Sequence, residues 1–273
     1  MTDPLANPVT DKRRNSFCGT LLAALTFFTR MPRPRWPRYH AADDIHAAAF
    51  APWIGWLVAI VAVIVLDTFS RIVPIPVAVT LMLIATAWFT GAIHEDGFAD
   101  YCDGFGTQRN ATETLAIMRD SRTGAFGVLG LVLLFLLKYS LLTSLVEGLP
   151  FAAAAGAIAV THIISRFVAI SFMYTQDYVR INDADAKAAP LSSRMPGHWF
   201  AFALLGTVIP VFAAAAWIAT SLLWIVPALV CVRIWFALSF QRRLSGYTGD
   251  CLGAVQQVSE VVALLVITSA WLI

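Results

Sequence analysis

Carboxylate and guanidinium side chains are concentrated in one stretch, residues 94–127, which reads HEDGFADYCDGFGTQRNATETLAIMRDSRTGAFG. Asp96, Asp100 and Asp103 follow the spacing i, i+4, i+7, which places three carboxylates on one face of a helix. Because like charges repel, such a cluster needs a cation among them. Oxygen ligands at this density suit Mg²⁺, which takes one or two carboxylates together with substrate phosphates and waters. The spacing therefore predicts a metal site rather than a solvated acidic loop.

The composition of the whole chain is that of a membrane protein. Of its 273 residues, 59% are hydrophobic and 13% are charged, and the mean hydropathy is +0.72. Soluble domains are about half apolar and a quarter charged. The net charge of +2 gives no indication of a nucleic-acid partner, and no basic patch interleaved with aromatic residues appears outside the span flanks, so we expect none. The four cysteines form no CxxC pair, so they predict free thiols and neither a disulfide framework nor a zinc site.

The hydropathy pattern predicts an all-α fold, a polytopic helical bundle with about seven transmembrane helices. Residues 17–29 are apolar for only thirteen positions, fewer than the roughly 20 that a span requires, and predict an interfacial or re-entrant helix. We predict that residues 1–16 form a mobile N-terminus, and they show no signal-peptide pattern. Residues 17–273 are predicted to form a single membrane-embedded domain. The predicted spans are 47–68, 74–93, 127–147, 150–175, 198–218, 221–240 and 256–273.

Long and short connections alternate between these spans, so every long connection lies on one face of the membrane. Fifteen of the nineteen Lys and Arg residues fall on that long-loop face, whereas the short-loop face carries only Arg71. The positive-inside rule predicts that the long-loop face is cytoplasmic. The acidic stretch lies on the same side.

Charged residues well inside predicted spans include Lys138, Arg166, Arg233 and Glu260. Charges in a bilayer normally face a polar cavity and pair with one another. Glu260 and Arg233 also fit a helix-packing ion pair, or side chains that extend to the nearby membrane interface. For Lys138 the sequence does not decide between such a packing role and a polar cavity. Arg166 lies too deep to reach the surface, so we expect it to face a cavity that opens to the cytoplasm, with carboxylates at its mouth. A glycine-rich loop with Asp250 is predicted at residues 246–254.

Three runs give the chain a family resemblance: HEDGFADYCDGF, LAIMRDSRTGAFGVLGLVLLFLLKYS and YTGDCLGAVQQVSE. With FFTRMPRP, FAPWIG and SRF elsewhere, they resemble the cobalamin synthase family, the adenosylcobinamide-GDP ribazoletransferases, from about residue 20 to the C-terminus. Glu95 and Tyr101 depart from the family pattern, where leucine and threonine are usual. Neither departure removes a carboxylate of the cluster.

The resemblance implies a multi-pass enzyme of the bacterial inner membrane, with its active site facing the cytoplasm. It implies a Mg²⁺-dependent transfer in which a ribose hydroxyl of α-ribazole, or of its 5′-phosphate, attacks adenosylcobinamide-GDP and releases GMP, the last step of nucleotide-loop assembly. Asp96, Asp100 and Asp103 are then metal ligands, and one of them or Asp120 is the general base. The predicted substrate-binding residues are His94, Arg119, Ser121, Arg122, Arg166, Asp250 and Glu260.

Three other functions fit parts of the pattern. A CDP-alcohol phosphotransferase also uses clustered aspartates, but residues 96–100 do not match its motif. A membrane prenyltransferase has two aspartate-rich motifs, and this chain has one. An ion-coupled transporter usually shows two related halves, which are not evident here. The expected partners are the two substrates and the lipid bilayer; homo-oligomers and complexes with pathway enzymes stay open.

Overall fold

The computed structural model describes residues 17–32, 41–107, 109–179, 191 and 194–270, with only the backbone for 41–45 and 215–222. Over these ranges it is helical, without strands, which confirms the predicted all-α class. A 3₁₀ helix, Ala41–Phe50, precedes α2. The α-helices are α1 Phe17–Phe28, α2 Ala51–Ser70, α3 Ile75–Thr90, α4 Ile93–Phe105, α5 Ala111–Met118, α6 Ala125–Gly148, α7 Phe151–Ile170, α8 Phe172–Thr175, α9 Gly197–Leu244 and α10 Gly249–Ala270.

Six of the described helical segments are long and apolar enough to cross a membrane. A seventh span requires α3, whose 16 residues are short for the bilayer and which is followed after a 90° bend by α4. The chain is thus a polytopic helical membrane bundle with six or seven spans. α1, with 12 residues, is too short to span. The six segments are His46–Ser70, Ala125–Gly148, Phe151–Thr175, Gly197–Ala214, Leu223–Leu244 and Gly249–Ala270.

Burial divides these helices into an inner and an outer set. α7 and α10 are mostly buried inside the bundle, whereas α6 and α9 leave most of their apolar side chains exposed. Leu136, Phe212 and Trp224, for example, are 59%, 76% and 68% exposed. An apolar surface of this extent is what a bilayer would cover.

The helix α9 contains both of the spans predicted at 198–218 and 221–240, but it lacks the non-helical break predicted near residues 219–220. Its backbone is helical for all 48 residues, a length of roughly 72 Å if straight. However, Phe200 stacks on Tyr174 with ring centroids 4.7 Å apart, and Arg233 Nε donates to Ser171 Oγ at 3.0 Å. Both ends of α9 therefore reach the same end of α7, so the helix turns back as two legs, Gly197–Ala214 and Leu223–Leu244.

The predicted glycine-rich loop at residues 246–254 is wrong over its second half, because α10 begins at Gly249. Asp250 lies in the first helical turn, where a carboxylate complements the helix dipole. Packing against α4 and α7 stabilises this glycine-containing turn as helix. Glu260 consequently lies eleven residues from the start of α10, deeper than the four residues that the predicted boundary gave.

Candidate active site

The position of α4 is set by a sharp bend directly after α3. Gly91 and Ala92 both have left-handed backbones, with φ of 69° and 56°. Two consecutive residues of this kind end α3 and redirect the chain by 90° into α4. As a result α4, with its aspartates, lies across the end of α3 on the long-loop face and outside the spanning helices.

Two glycines allow α4 to cross the start of α10 at backbone contact. A Cβ atom at Gly97 would lie 2.9 Å from the Cα of Asp250. One at Gly253 would lie 2.9 Å from the carbonyl oxygen of His94. Any larger residue at either position would push the helices apart, so this crossing is what brings Asp250 beside the aspartates of α4.

Asp96, Asp100 and Asp250 form a single group, here called the acidic face. Asp96 is exposed and Asp100 is half-buried. Burial, together with repulsion from Asp250, Asp96 and Asp103, raises the pKa of Asp100 to about 7. In the absence of a cation, the carboxylates of the acidic face therefore repel one another, and the surrounding protein does not fully offset this repulsion.

Asp103 has a structural role that its spacing did not reveal. Its Oδ2 accepts a hydrogen bond from the Gly124 amide at 2.7 Å, and its Oδ1 accepts one from the Gly127 amide at 2.9 Å. These amides belong to the start of α6, where backbone N–H groups lack partners within the helix. Asp103 thus anchors the N-terminus of α6 to α4.

The carboxylate oxygens of the acidic face are ligands of the kind that Mg²⁺ prefers, but they do not form a complete metal site by themselves. Among the residues that the structure describes, no three His, Cys, Asp or Glu side chains are arranged to hold a metal. Mg²⁺ commonly takes one or two protein carboxylates and completes its shell with waters and substrate phosphates. Asp96 and Asp100, with Asp250 nearby, meet that requirement, and a cation would relieve their repulsion. The Mg²⁺ site stays a prediction.

The connection between α5 and α6 carries four of the predicted site residues. Arg119, Ser121 and Arg122 are exposed. Arg122 forms a salt bridge of 2.6 Å with Asp120, and its hydrogen bonds lower the pKa of Asp120 to about 2. So acidic a carboxyl is a weak general base near neutral pH. The structure therefore weakens the prediction that Asp120 accepts a proton.

A buried polar network connects α6, α7 and α10 inside the bundle. Lys138 Nζ lies 2.8 Å from Glu260 Oε1 and donates to Gln257 Oε1 at 2.7 Å. Gln256 Nε2 donates to Glu260 Oε2 at 2.6 Å and to Ser165 Oγ at 3.1 Å. Lys138 is thus part of a helix-packing ion pair, and Glu260, predicted to bind substrate, already has protein partners. The sequence analysis singled out Lys138 and Glu260 as charges inside spans, but it did not predict that Gln256 and Gln257 join them.

Arg166 lies between this buried polar network and the acidic face. It is 3% exposed, and its Nη1 donates to the carbonyl oxygen of His162 at 2.6 Å. It lines one cavity with His94 and Gly249, and a second, smaller cavity with Glu95 and Glu260. This agrees with the expectation that Arg166 faces a cavity. Within the described part of the chain, Arg166 Nε and Glu95 Oε2 are buried without a hydrogen-bond partner.

His94 is buried at the start of α4 rather than exposed at a helix end. Its ring stacks on Phe28 of α1, with centroids 6.1 Å apart and planes within 6°. It shares a cavity with Arg166, so the structure brings these two predicted substrate-binding residues together.

Arg243 is a residue that the sequence analysis missed. Its Nη1 donates to the carbonyl oxygens of Thr107 at 2.9 Å and Arg109 at 3.1 Å, and its guanidinium lies 5.4 Å from the centre of the Phe105 ring. These contacts attach the end of α9 to the connection between α4 and α5. A basic residue in the last turn of a helix is too common to indicate such a role.

Comparison with known proteins adds information on the family of the whole chain. A family model described as cobalamin-5-phosphate synthase matches residues 20–268. The adenosylcobinamide-GDP ribazoletransferase of Ralstonia nicotianae is 40% identical over 258 residues, which cover 93% of this chain and 96% of that protein. The protein of the same name from Shewanella amazonensis is 39% identical, covering 92% and 95%. No solved structure matches this chain.

Proposed function

The chain belongs to the cobalamin-5-phosphate synthase family, and on that basis we propose that it is an adenosylcobinamide-GDP ribazoletransferase. It joins α-ribazole, or α-ribazole 5′-phosphate, to adenosylcobinamide-GDP and releases GMP. The observation that carries this proposal is the similarity to proteins of that name over more than nine-tenths of the chain. None of the three rival functions gains support from these comparisons.

In the transfer, the ribose hydroxyl oxygen forms a bond to the phosphorus next to cobinamide. The bond from that phosphorus to the bridging oxygen of the diphosphate breaks, GMP leaves with that oxygen, and the hydroxyl loses its proton. Phosphoryl transfer depends on positioning and charge neutralisation more than on covalent catalysis. The site therefore needs groups that hold the diphosphate and offset its negative charge.

The acidic face is the proposed binding place of Mg²⁺. We assign Asp96 and Asp250 as the main ligands, with Asp100 beside them, because the three carboxylates are adjacent and repel one another. Bound Mg²⁺ would neutralise charge on the diphosphate. Asp103, predicted as a third ligand, has both oxygens bonded to amides of α6, so we assign it to positioning α4.

The arginines are the proposed partners of the diphosphate and of the leaving GMP. Arg119, Ser121 and Arg122 lie on the exposed connection that precedes α6, and Arg166 lies in the cavity beside His94. Arg122 must leave Asp120 to bind a phosphate, which costs little because solvent screens an ion pair at the surface. Guanidinium groups bind phosphate oxygens through paired hydrogen bonds.

The proton of the ribose hydroxyl passes most readily to Asp100. Its raised pKa, about 7, brings it near the optimum for a base at neutral pH, whereas the pKa of Asp120 is about 2. A bound cation would lower the pKa of Asp100, so proton acceptance by this residue requires the metal to be held mainly by its neighbours.

The orientation of the protein is part of the proposal. The acidic face, Arg119 and Arg122 lie at the long-loop end of the bundle, which carries most of the Lys and Arg residues. The positive-inside rule then places the active site at the cytoplasmic face of the bacterial inner membrane.

The proposed reaction is tested by supplying the purified protein with adenosylcobinamide-GDP, α-ribazole and Mg²⁺. We expect equal amounts of GMP and of a corrinoid whose mass has gained α-ribazole phosphate in place of GDP, measured by chromatography and mass spectrometry. GMP release that continues without α-ribazole would indicate a hydrolase. The absence of both products would contradict the proposal.

A further inference from the structure

An apolar groove of about 460 Å³ lies between α7 and the two legs of α9. Its walls include Phe167, Leu204, Val211 and Val230. The groove lies within the spanning segments, so its open side faces the hydrocarbon of the bilayer. A flexible apolar chain is the kind of molecule that would fill it.

The positively charged side chain of Arg233 lies at the long-loop end of this groove. Arg233 donates through Nε to Ser171 Oγ at 3.0 Å and through Nη2 to Thr175 Oγ1, and its guanidinium lies 4.7 Å from the centre of the Phe172 ring. These neutral groups orient the guanidinium, and they do not themselves offset its charge. Of the contacts found in the described ranges, none joins Arg233 to a carboxylate. Ionisable residues inside spans normally pair with one another or with backbone carbonyl groups.

We propose that the groove binds an anionic phospholipid, with the lipid phosphate at Arg233 and one acyl chain along α7 and α9. The cation at one end and the apolar walls beyond it match the two parts of such a lipid. A guanidinium binds phosphate oxygens through paired hydrogen bonds, and basic pockets between transmembrane helices hold acidic headgroups. This site is separate from the acidic face, so it does not depend on the proposed reaction.

Native mass spectrometry of the full-length protein in detergent tests the proposal with phosphatidylglycerol as the probe. Replacing Arg233→Gln should lower the apparent affinity for one phosphatidylglycerol molecule about fivefold, the effect of one basic residue at a lipid surface. Arg233→Lys should retain most of the binding. Arg242→Gln is the matched control, since Arg242 is exposed near the same end of α9 and does not line the groove.

A second pair of variants tests the groove without changing its charge. Val208 lines the groove and Ile209 does not, although both are partly exposed on neighbouring positions of α9. Val208→Trp should displace the lipid, whereas Ile209→Trp should leave binding as in the wild type. Equal retention of phosphatidylglycerol by the wild type, Arg233→Gln and Val208→Trp would overturn the proposal. So would equal binding of phosphatidylcholine, or a change in oligomeric state in Val208→Trp without loss of lipid.

Discussion

The three aspartates of α4 share one helical spacing but differ in their surroundings. Asp96 is exposed, Asp100 is half-buried beside Asp250, and Asp103 bonds to two amides of α6. The spacing was sufficient to predict a shared face. It could not predict that Asp250 joins them, or that Asp103 caps another helix, because both depend on where α10 and α6 begin.

The raised pKa of Asp100 predicts how stability depends on pH when no divalent cation is present. Between its ordinary value of 3.8 and about 7, the folded protein keeps a proton that the unfolded chain has lost. Stability should therefore fall as pH rises through this window. The thermal unfolding midpoint in EDTA measures this between pH 5 and 7.5. The decrease should be smaller in Asp100→Asn, and identical profiles for the two proteins would contradict the prediction.

Asp103→Asn separates a capping role from a metal-binding role. An asparagine has only one acceptor oxygen, so the amide of Gly124 or Gly127 loses its partner. We expect the free energy of unfolding to decrease by about 1–3 kcal/mol, while the Mg²⁺ concentration that gives half-maximal activity stays unchanged. If the required Mg²⁺ concentration rises and stability does not change, Asp103 is a ligand instead.

Contacts between helices decide the arrangement of the site at the scale of elements. The crossing of α4 and α10 depends on Gly97 and Gly253, and the bend before α4 depends on the left-handed Gly91 and Ala92. The sequence predicted that residues 94–127 form a polar unit between spans, which the structure agrees with. It did not predict that residues 249–254 are helical, because glycines usually end helices and the packing that stabilises this turn is non-local.

Gly253→Ala tests the backbone contact between α4 and α10. The added methyl group would meet the carbonyl oxygen of His94 at 2.9 Å, and backbone atoms on two packed helices cannot easily move away. We expect a loss of about 1–3 kcal/mol in stability, measured by unfolding in detergent, together with reduced GMP release. Gly148→Ala is the control, because nothing lies within 4 Å of its added Cβ. Equal effects of the two substitutions would refute the importance of this contact.

The whole molecule combines a buried pair of helices with an apolar outer surface. Composition and hydropathy were sufficient to predict a membrane bundle and the approximate positions of its spans. The exact shape of α9 could not be predicted, since Pro210 and Pro227 lie inside its helix and the polar pair Thr220 and Ser221 stays helical. The side of the membrane on which the site lies is predicted from the distribution of Lys and Arg residues alone.

Cysteine labelling in oriented vesicles tests that topology. In a variant without its four native cysteines, Thr112→Cys lies on α5, in the long connection that follows α4, and Ile72→Cys lies in the short connection after α2. Both positions are exposed. A membrane-impermeant maleimide should label Ile72→Cys in right-side-out vesicles and Thr112→Cys in inside-out vesicles. The reverse pattern would place the active site on the outer face.

The central claim is that the acidic face of α4 and α10 binds Mg²⁺ and that the proposed transfer depends on it. The most direct test is the Mg²⁺ dependence of GMP release from adenosylcobinamide-GDP and α-ribazole by the wild type and Asp100→Asn, with matched amounts of folded, membrane-inserted protein. The account predicts saturable Mg²⁺ dependence in the wild type and a loss of roughly 100-fold or more in the variant. Undiminished Mg²⁺-dependent turnover by Asp100→Asn would contradict it.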